Sequence, residues 1–178
     1  MTVFRWGKGG AVDLSAPLNF KFEGKPFVGL QGDTLAAALI ANDVHLMGRS
    51  FKYHRPRGVI SHGSSEPNAL VTLREGARAE ANTRATMIEL YDGLVAKSQN
   101  RWPSLNVDVG AVNSLASHMF VAGFYYKTFM WPKSFWEKIY EPLIRRAAGL
   151  GFASKEADPD KYGKAYGHCD LMMGGSGP

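Results

Sequence analysis

The chain has 178 residues, of which 45% are hydrophobic and 12% aromatic, so it can bury a core and is not of the disordered class. Its formal net charge of +5 permits anionic partners but is well short of the charge of histone-like proteins. A single cysteine, Cys169, excludes an internal disulfide and any metal or iron–sulfur site built from several cysteines.

The chain contains no long apolar segment, and its start, MTVFRWGKGG, lacks the apolar run of a secretory leader. A membrane-spanning helix needs roughly 18 consecutive apolar residues, and no stretch approaches that length. We therefore expect no membrane span, no leader and a cytoplasmic location.

A β-hairpin is the first predicted element. Residues 18–22 alternate between apolar and polar side chains, which is the period of a strand with one buried face. Residues 23–25 supply a turn, and residues 26–30 return as the second strand. The preceding residues, 1–17, are expected to form a glycine-rich arm.

A short helix and a further strand follow the hairpin. Leu35–Ala41 is rich in strong helix formers, and either Asp33 or Thr34 can cap its first turn. After a basic loop, residues 68–74 are predicted to form a short strand. The order strand, strand, helix, loop, strand is that of a β-grasp module, the α+β fold of plant-type ferredoxins.

The rest of the chain predicts less regular structure. Residues 77–116 look irregular, with short strands expected at Met87–Leu90 and Leu105–Val107. An aromatic-rich stretch then leads to a helix expected over Phe135–Ala148.

Ser134 is the predicted cap of that helix, and Pro142 predicts a kink or a break inside it. A polar linker, SKEADPDKYGKAYG, comes next. Asp170–Met173 is predicted to be a strand that runs into a glycine-rich turn.

The glycine-rich end of the chain resembles the start of a dinucleotide-binding loop. Gly175 and Gly177 would be the first two glycines of G-x-G-x-x-G, in which a tight turn lets the backbone approach a pyrophosphate. The third glycine and the following helix are not in the sequence, so an incomplete loop and a plain flexible tail both remain open.

A basic segment, RSFKYHRPRG, spans residues 49–58. Its cations could bind phosphate or carboxylate groups, could bind single-stranded nucleic acid together with the interleaved aromatics, or could form internal salt bridges in a solvated loop. These readings stay open on the residues alone. The candidate anion or interface contacts are Arg49, Lys52, Arg55 and Arg57.

The segment after the basic loop, SHGSSEPNALVTL, stands where a plant-type ferredoxin carries its C-x4-C-x2-C cluster loop. It contains no cysteine, and Ser61, His62 and Glu66 do not replace a set of thiolates. We expect a β-grasp domain without an iron–sulfur cluster. None of the five histidines has the spacing of a metal site, and Cys169 is read as a small buried residue.

Several stretches together resemble one family. In chain order they are GDTLAAALIANDVHLMGRSFKYHRPRG, EPNALVTLREG, ANTRAT, ELYDGLVAKSQNRWPSL, GFYYKTFMWPKSFWEKIYEPLIRRAAGLG and HCDLMMGGSGP. They are similar to the N-terminal part of the α subunits of heterotetrameric sarcosine oxidases, from about residue 15 to the last residue. Gly174 departs from the family, which usually has a strand hydrophobe there.

This resemblance implies a division of the chain and a place in a complex. It implies an arm (1–17), a clusterless ferredoxin-like β-grasp domain (18–90), an extension and linker (91–165), and the start of a dinucleotide-binding domain (166–178). Such complexes oxidatively demethylate sarcosine to glycine, release hydrogen peroxide and pass the one-carbon unit to tetrahydrofolate.

The resemblance also implies the partners and cofactors. The partners are the remainder of the α subunit, the flavin-bearing β subunit and the γ and δ subunits, while nucleic acid is not favoured. NAD, FAD, FMN and tetrahydrofolate belong to the full complex, none is bound by this chain alone, and the isolated chain is expected to be inactive. No catalytic or metal-binding residue is assigned to it.

Two alternatives remain. One is a stand-alone β-grasp interaction module, or one that binds single-stranded nucleic acid through residues 49–58. The other is a subunit of a related oxidoreductase that acts on an opine or another secondary amine.

Overall fold

A computed structural model describes the protein over residues 4–5, 10–50, 53–115, 133–142 and 151–168. Within these ranges the regular structure is concentrated in the first hundred residues. The seven strands and the α-helix found there are, in chain order, β1 (Asp13–Phe22), β2 (Lys25–Gln31), α1 (Leu35–Ala41), β3 (Gly48–Arg49), β4 (Pro56–Arg57), β5 (Leu70–Leu73), β6 (Glu80–Arg84) and β7 (Leu94–Ser98).

Five of the strands form one mixed sheet, in the order β2-β1-β7-β5-β6. Strands β1 and β7 are parallel, and the other neighbours are antiparallel. Strands β3 and β4 form a separate antiparallel ribbon. The predicted α+β, ferredoxin-like β-grasp fold is confirmed.

The predicted hairpin and helix are both present. Strand β1 begins at Asp13, earlier than expected, and pairs with β2 across a turn at Glu23 and Gly24. Thr34 is the N-cap of α1, because its hydroxyl accepts a hydrogen bond from the N–H of Ala37 at 3.2 Å.

Asp33, the other candidate cap, has a different role. Its side chain is buried, accepts the N–H of Leu30 at 2.9 Å and pairs with the guanidinium of Arg5 at 3.0 Å. The carboxylate thus ties Arg5 to the end of β2 and the start of the helix.

The core lies between α1 and one face of the sheet. It is built from alternate residues of β1, β5 and β7 and from the inner side of the helix. Its buried members include Phe20, Phe22, Leu35, Leu39, Val71, Leu73, Leu94 and Ala96. In β7 buried residues alternate with more exposed ones along the whole strand. Leu94, Ala96 and Ser98 are buried, whereas Val95 is half-buried and Lys97 is exposed.

The predicted strands at Met87–Leu90 and Leu105–Val107 are wrong. Leu35 N–H donates to the carbonyl of Ile88, and Leu90 N–H donates to the carbonyl of Asp33, so the first segment bonds to the start of the helix. The second segment lies in a turn closed by Ser104 N–H and the carbonyl of Val107 at 3.1 Å.

The description of residues 77–116 as irregular is also wrong, because β6 and β7 both lie within it. Strand β6 (EANTR) lies at the edge of the sheet, where its polar side chains reach solvent, so it carries little hydrophobic alternation. Strand β7 is central, but its buried residues include a serine and an alanine, which weakens the apolar signal.

The α-helix predicted to begin at Phe135 is replaced at its start by two other kinds of helical turn. Lys133–Phe135 is a 3₁₀ turn, so Ser134 lies inside it rather than capping a helix, and Trp136–Tyr140 is a π-helical turn. Helical structure then extends as far as Pro142, and the remainder of the expected helix lies outside the described residues.

Residues 151–168, which include all of the predicted linker SKEADPDKYGKAYG, have no regular secondary structure. They contact the β6 side of the sheet through Gly151, whose N–H donates to Asn82, and through an ion pair between Arg78 and Asp160. The predicted strand Asp170–Met173 lies outside the described residues. In the described part of the chain, no helix is long and apolar enough to cross a membrane.

Candidate functional site

The basic segment is folded into the β3–β4 ribbon. Gly48 pairs with Arg57 and Arg49 pairs with Pro56, so the two strands place the segment's ends side by side. The connection is closed by Ser50, whose N–H donates to the carbonyl of Arg55 at 3.0 Å and whose hydroxyl accepts the Arg55 N–H at 3.0 Å. The described residues of the segment, 49–50 and 53–58, therefore form an ordered ribbon.

Arg49 points into the protein. Its Nε and Nη2 donate to the carbonyl of Leu105 at 3.0 and 2.7 Å, and Nη2 also donates to the carbonyl of Asn106 at 3.1 Å. Its Nη1 donates to the carbonyl of His54 at 3.1 Å. Because these backbone acceptors occupy most of its N–H donors, the main role of Arg49 is to crosslink the ribbon to residues 105–106.

His54 forms a second link between the same two segments. Its Nδ1 lies 2.6 Å from Oδ2 of Asp108, whose side chain is fully buried. The other oxygen, Oδ1, accepts the N–H of Trp102 at 3.0 Å and of Gly110 at 3.1 Å. Burial raises the pKa of Asp108, but the hydrogen bonds from His54 and these two N–H groups lower it more, so that it lies below its ordinary value.

Asn100 completes the connection, because its Nδ2 donates to the carbonyls of Arg49 and Ser50 at 3.2 and 2.6 Å. Sequence reasoning missed these partners. The available signal was Asp108 itself, which precedes the 3₁₀ turn Val109–Ser114 and caps it through Gly110.

Arg55 and Arg57 are the basic side chains that face outward. Both residues are exposed, and neither forms an ion pair within the described ranges. The guanidinium carbon of Arg55 lies 4.9 Å from the centre of the Tyr53 ring, an arrangement that holds the cation over an aromatic face.

Arg57 also helps to line a surface cavity of about 300 Å³, which Arg49, Asn68, Gln99 and Asn100 line as well. Of the four cations predicted as candidate contacts, the structure therefore leaves Arg55 and Arg57 on the surface and turns Arg49 inward. Lys52 lies outside the described residues, as do Gly175 and Gly177.

The cysteine-free segment is a compact loop that ends at β5. Its centre is a 3₁₀ turn, Gly63–Ser65, followed by Glu66, whose side chain is completely buried. Glu66 Oε2 accepts the N–H of Ile60 at 2.8 Å and of Ser61 at 2.7 Å, and Oε1 accepts the N–H of Asn68 at 2.7 Å.

These contacts control the charge of the buried carboxyl. Burial raises the pKa of Glu66, but the N–H groups of Ser61, Asn68 and Ile60 lower it more, and the net pKa is below the ordinary value. Sequence reasoning noted Glu66 only as a residue that is not a thiolate and did not foresee its burial.

Residues 15–101 match the family described as "2Fe-2S iron-sulfur cluster binding domain". Over all of its 178 residues the chain is 64% identical to "Sarcosine oxidase subunit alpha" of Rhizobium meliloti strain 1021. The chain is a relative of the sarcosine oxidase α subunit. The match covers 100% of this chain but 18% of the relative, so the chain spans about a fifth of that protein's length.

A second sarcosine oxidase α subunit, from Corynebacterium sp. strain P-1, is 28% identical over 167 residues, which cover 94% of this chain and 13% of that protein. Among solved structures, an L-proline dehydrogenase from P. horikoshii matches with 24% identity and a TM-score of 0.39, over 49% of this chain and 16% of the other.

The residues of this α-subunit relative do not fit the cluster that the domain family is named for. A [2Fe–2S] cluster of the plant type needs four cysteine thiolates, and residues 15–101 contain no cysteine. The described residues also contain no group of three or more histidine, cysteine, aspartate and glutamate side chains that could hold a metal ion.

Proposed function

We propose that the chain serves as the N-terminal part of the α subunit of a heterotetrameric sarcosine oxidase. The complex would oxidatively demethylate sarcosine to glycine, with tetrahydrofolate as the one-carbon acceptor and with release of hydrogen peroxide. The observation that carries the proposal is the 64% identity over the whole chain to a protein named as that subunit.

Within the complex we assign the chain a role in assembly. The clusterless domain has no cysteines with which to carry electrons, and its described residues present an ordered basic ribbon at the surface. The remainder of the α subunit and the flavin-bearing β subunit, with the γ and δ subunits, are its proposed partners. NAD, FAD, FMN and tetrahydrofolate would be bound elsewhere in the complex, with Gly175 and Gly177 at the start of a dinucleotide loop.

The surface proposed for assembly consists of Arg55 and Arg57. A guanidinium forms paired hydrogen bonds with a carboxylate, and the cavity beside Arg57 can admit an acidic side chain of the partner. The stacking of Arg55 on Tyr53 restricts its side chain before binding, which reduces the entropy lost on association.

Co-purification tests the function. The tagged chain is expressed together with the remaining subunit genes that neighbour its own, and the eluate is examined for visible flavin absorption and for peroxide formed from sarcosine. Flavin-coloured partners and peroxide formation support the proposal. A chain that elutes alone and colourless, while the partners assemble without it, contradicts it.

The same eluate distinguishes the related substrates. Peroxide formed from another secondary amine, such as an opine, but not from sarcosine would assign the chain to an oxidoreductase complex with a different substrate. The amine is therefore varied in the assay while the protein is kept the same.

The basic ribbon is tested with the double variant Arg55→Ala/Arg57→Ala in the complete complex. Loss of two cations at the interface should lower the amount of β subunit and flavin that co-purify. Lys25→Ala/Lys155→Ala removes the same charge from two other exposed positions and serves as the matched control. Equal flavin content in both variants would contradict the role of the ribbon but not the membership of the complex.

One observation favours a second candidate, the binding of single-stranded nucleic acid. The guanidinium of Arg55 lies over the ring of Tyr53. Proteins that bind single-stranded nucleic acid also combine cationic and aromatic side chains. Tight binding of a single-stranded oligonucleotide, with an affinity that falls steeply as salt rises, would support it. The hydrogen bonds of Arg49 argue against it, since backbone carbonyls already accept from most of its donors.

A further inference from the structure

The buried carboxylate of Glu66 stands at a cluster-ligand position of the loop. A plant-type cluster loop places three cysteines at C-x4-C-x2-C, directly before a strand. In this chain the same spacing joins Ser61, Glu66 and Ala69, and β5 begins with the next residue, Leu70. Glu66 and Ala69 are both completely buried and Ser61 is half-buried, so two of the three positions lie in the interior.

A fourth position faces the loop from the opposite segment. The hydroxyl of Thr86 donates to the carbonyl of Gly63, in the middle of the loop, at 2.7 Å. Beside it, the N–H of Ala85 donates to the carbonyl of Ala69 at 2.8 Å. Thr86 therefore lies against the loop that carries the other three positions.

Three amide groups of the loop share one acceptor, the Glu66 carboxylate. In cluster-bearing proteins, hydrogen bonds to the cluster sulfurs help to set the properties of the centre. Here the N–H groups of Ile60, Ser61 and Asn68 all donate to Glu66, at 2.7 to 2.8 Å. A loop without that acceptor would leave these three partly buried donors without their partner, which is costly in a folded protein.

We propose that the carboxylate of Glu66 occupies the place of the missing iron–sulfur cluster and supplies the anion around which the loop folds. The disagreement between the family name and the cysteine-free sequence then has a physical basis. The Glu66 side chain takes over the structural role of the cluster. The electron-carrying role has no replacement, because a carboxylate is not a redox group. The inference stands on the loop geometry and the domain family and does not depend on the substrate of the complex.

Amide hydrogen exchange tests the proposal on the complete 178-residue chain. Glu66→Gln keeps the size of the side chain but turns one acceptor oxygen into an NH₂ group that faces a backbone donor. Exchange at Ile60, Ser61 and Asn68 should accelerate by about tenfold or more, a change in the range expected for a lost charge-assisted bond. Glu80→Gln, which removes an exposed carboxylate from β6, is the matched control and should leave these amides unchanged.

Unchanged exchange at all three amides in Glu66→Gln would overturn the proposal. Uniform acceleration across the whole sheet would also overturn it, because the effect would then be general destabilisation rather than the loss of an anion from one loop. The expected result is acceleration confined to the loop.

A variant with cysteines at all four positions tests whether Glu66 stands where a cluster ligand would stand. The variant Ser61→Cys/Glu66→Cys/Ala69→Cys/Thr86→Cys is treated with ferric iron and sulfide without oxygen, then examined for visible absorption and for bound iron and acid-labile sulfide in equal amounts. The control retains Glu66 and carries the other three cysteines.

Cluster formation in the four-cysteine variant, and its absence in the control, would support the proposed place of Glu66. A folded four-cysteine chain that binds no iron would contradict that place. Where this variant fails to fold, the exchange measurement on Glu66→Gln decides.

Discussion

Nδ1 of His54 lies 2.6 Å from Oδ2 of Asp108, although 54 residues separate the two along the chain. The Asp108 side chain is fully buried, and that of His54 is 13% exposed. A buried carboxylate needs partners for its lone pairs, and this one has His54 together with two backbone N–H groups. The pair therefore fastens the basic ribbon to the segment that follows the sheet.

Asp108→Asn should destabilise the chain by about 1–3 kcal/mol, the range for a buried donor left without its acceptor. The amide keeps the size of the side chain but brings an NH₂ group towards backbone donors or His54. Urea unfolding, followed by circular dichroism, measures the change in the free energy of unfolding.

Asp43→Asn is the matched control for that measurement. Asp43 also pairs with a histidine, His45, at 2.9 Å, but both side chains are about 60% exposed. An exposed pair contributes about 0–1 kcal/mol, so this variant should be nearly neutral. Equal losses in the two variants would show that burial of Asp108 does not matter.

Acid should weaken the fold through Asp108 and Glu66. Both carboxyls have a folded-state pKa below the ordinary value, in each case because hydrogen bonds to the carboxylate outweigh the effect of burial. The unfolded chain takes up protons first, near pH 4, so the stabilisation is present above that pH and is lost as pH falls towards the folded-state pKa.

The urea midpoint measured from about pH 6 to about pH 3 checks this. Glu66→Gln cannot titrate, so it should show a shallower loss of stability over this window than the unchanged chain. Parallel curves for the two proteins would mean that Glu66 does not contribute to acid unfolding.

The hairpin and α1 could be predicted from sequence because their signals are local. Alternation of apolar residues specifies β1, and Thr34 followed by a run of helix formers specifies the helix start. Strand β6 gave no such signal, because a polar edge strand is defined by its pairing with β5, which lies elsewhere in the chain.

The candidate site was harder to predict from the sequence than the strands, because it depends on contacts between residues far apart in the chain. Nothing near Arg49 in the sequence indicates that its donors will meet the carbonyls of Leu105 and Asn106, more than fifty residues away. Glu66 is different, because the C-x4-C-x2-C spacing that includes it can be counted in the sequence, although sequence reasoning noted only that the residue is not a thiolate. What could not be seen was the set of inward N–H groups that makes a buried carboxylate stable there.

Arg49→Lys should destabilise the chain in spite of keeping the charge. The guanidinium of Arg49 reaches three separate carbonyl groups, those of His54, Leu105 and Asn106, whereas a lysine offers one compact ammonium group. We expect a loss of about 1–3 kcal/mol from carbonyls left without donors, measured by urea unfolding. A value for Arg49→Lys within error of the unchanged chain would contradict the crosslinking role.

Arg55→Ala/Arg57→Ala, in contrast to Arg49→Lys, should leave the stability of the chain nearly unchanged but weaken assembly of the complex. Both side chains are exposed and form no ion pair within the described residues, so their removal should change the free energy of unfolding by about 0.5 kcal/mol or less. The same variant should reduce recovery of the flavin-bearing subunit from the complex, because its effect lies at the interface. If the double variant instead unfolds as readily as Arg49→Lys, the outward arginines support the fold of the ribbon, and any loss of assembly follows from that instability.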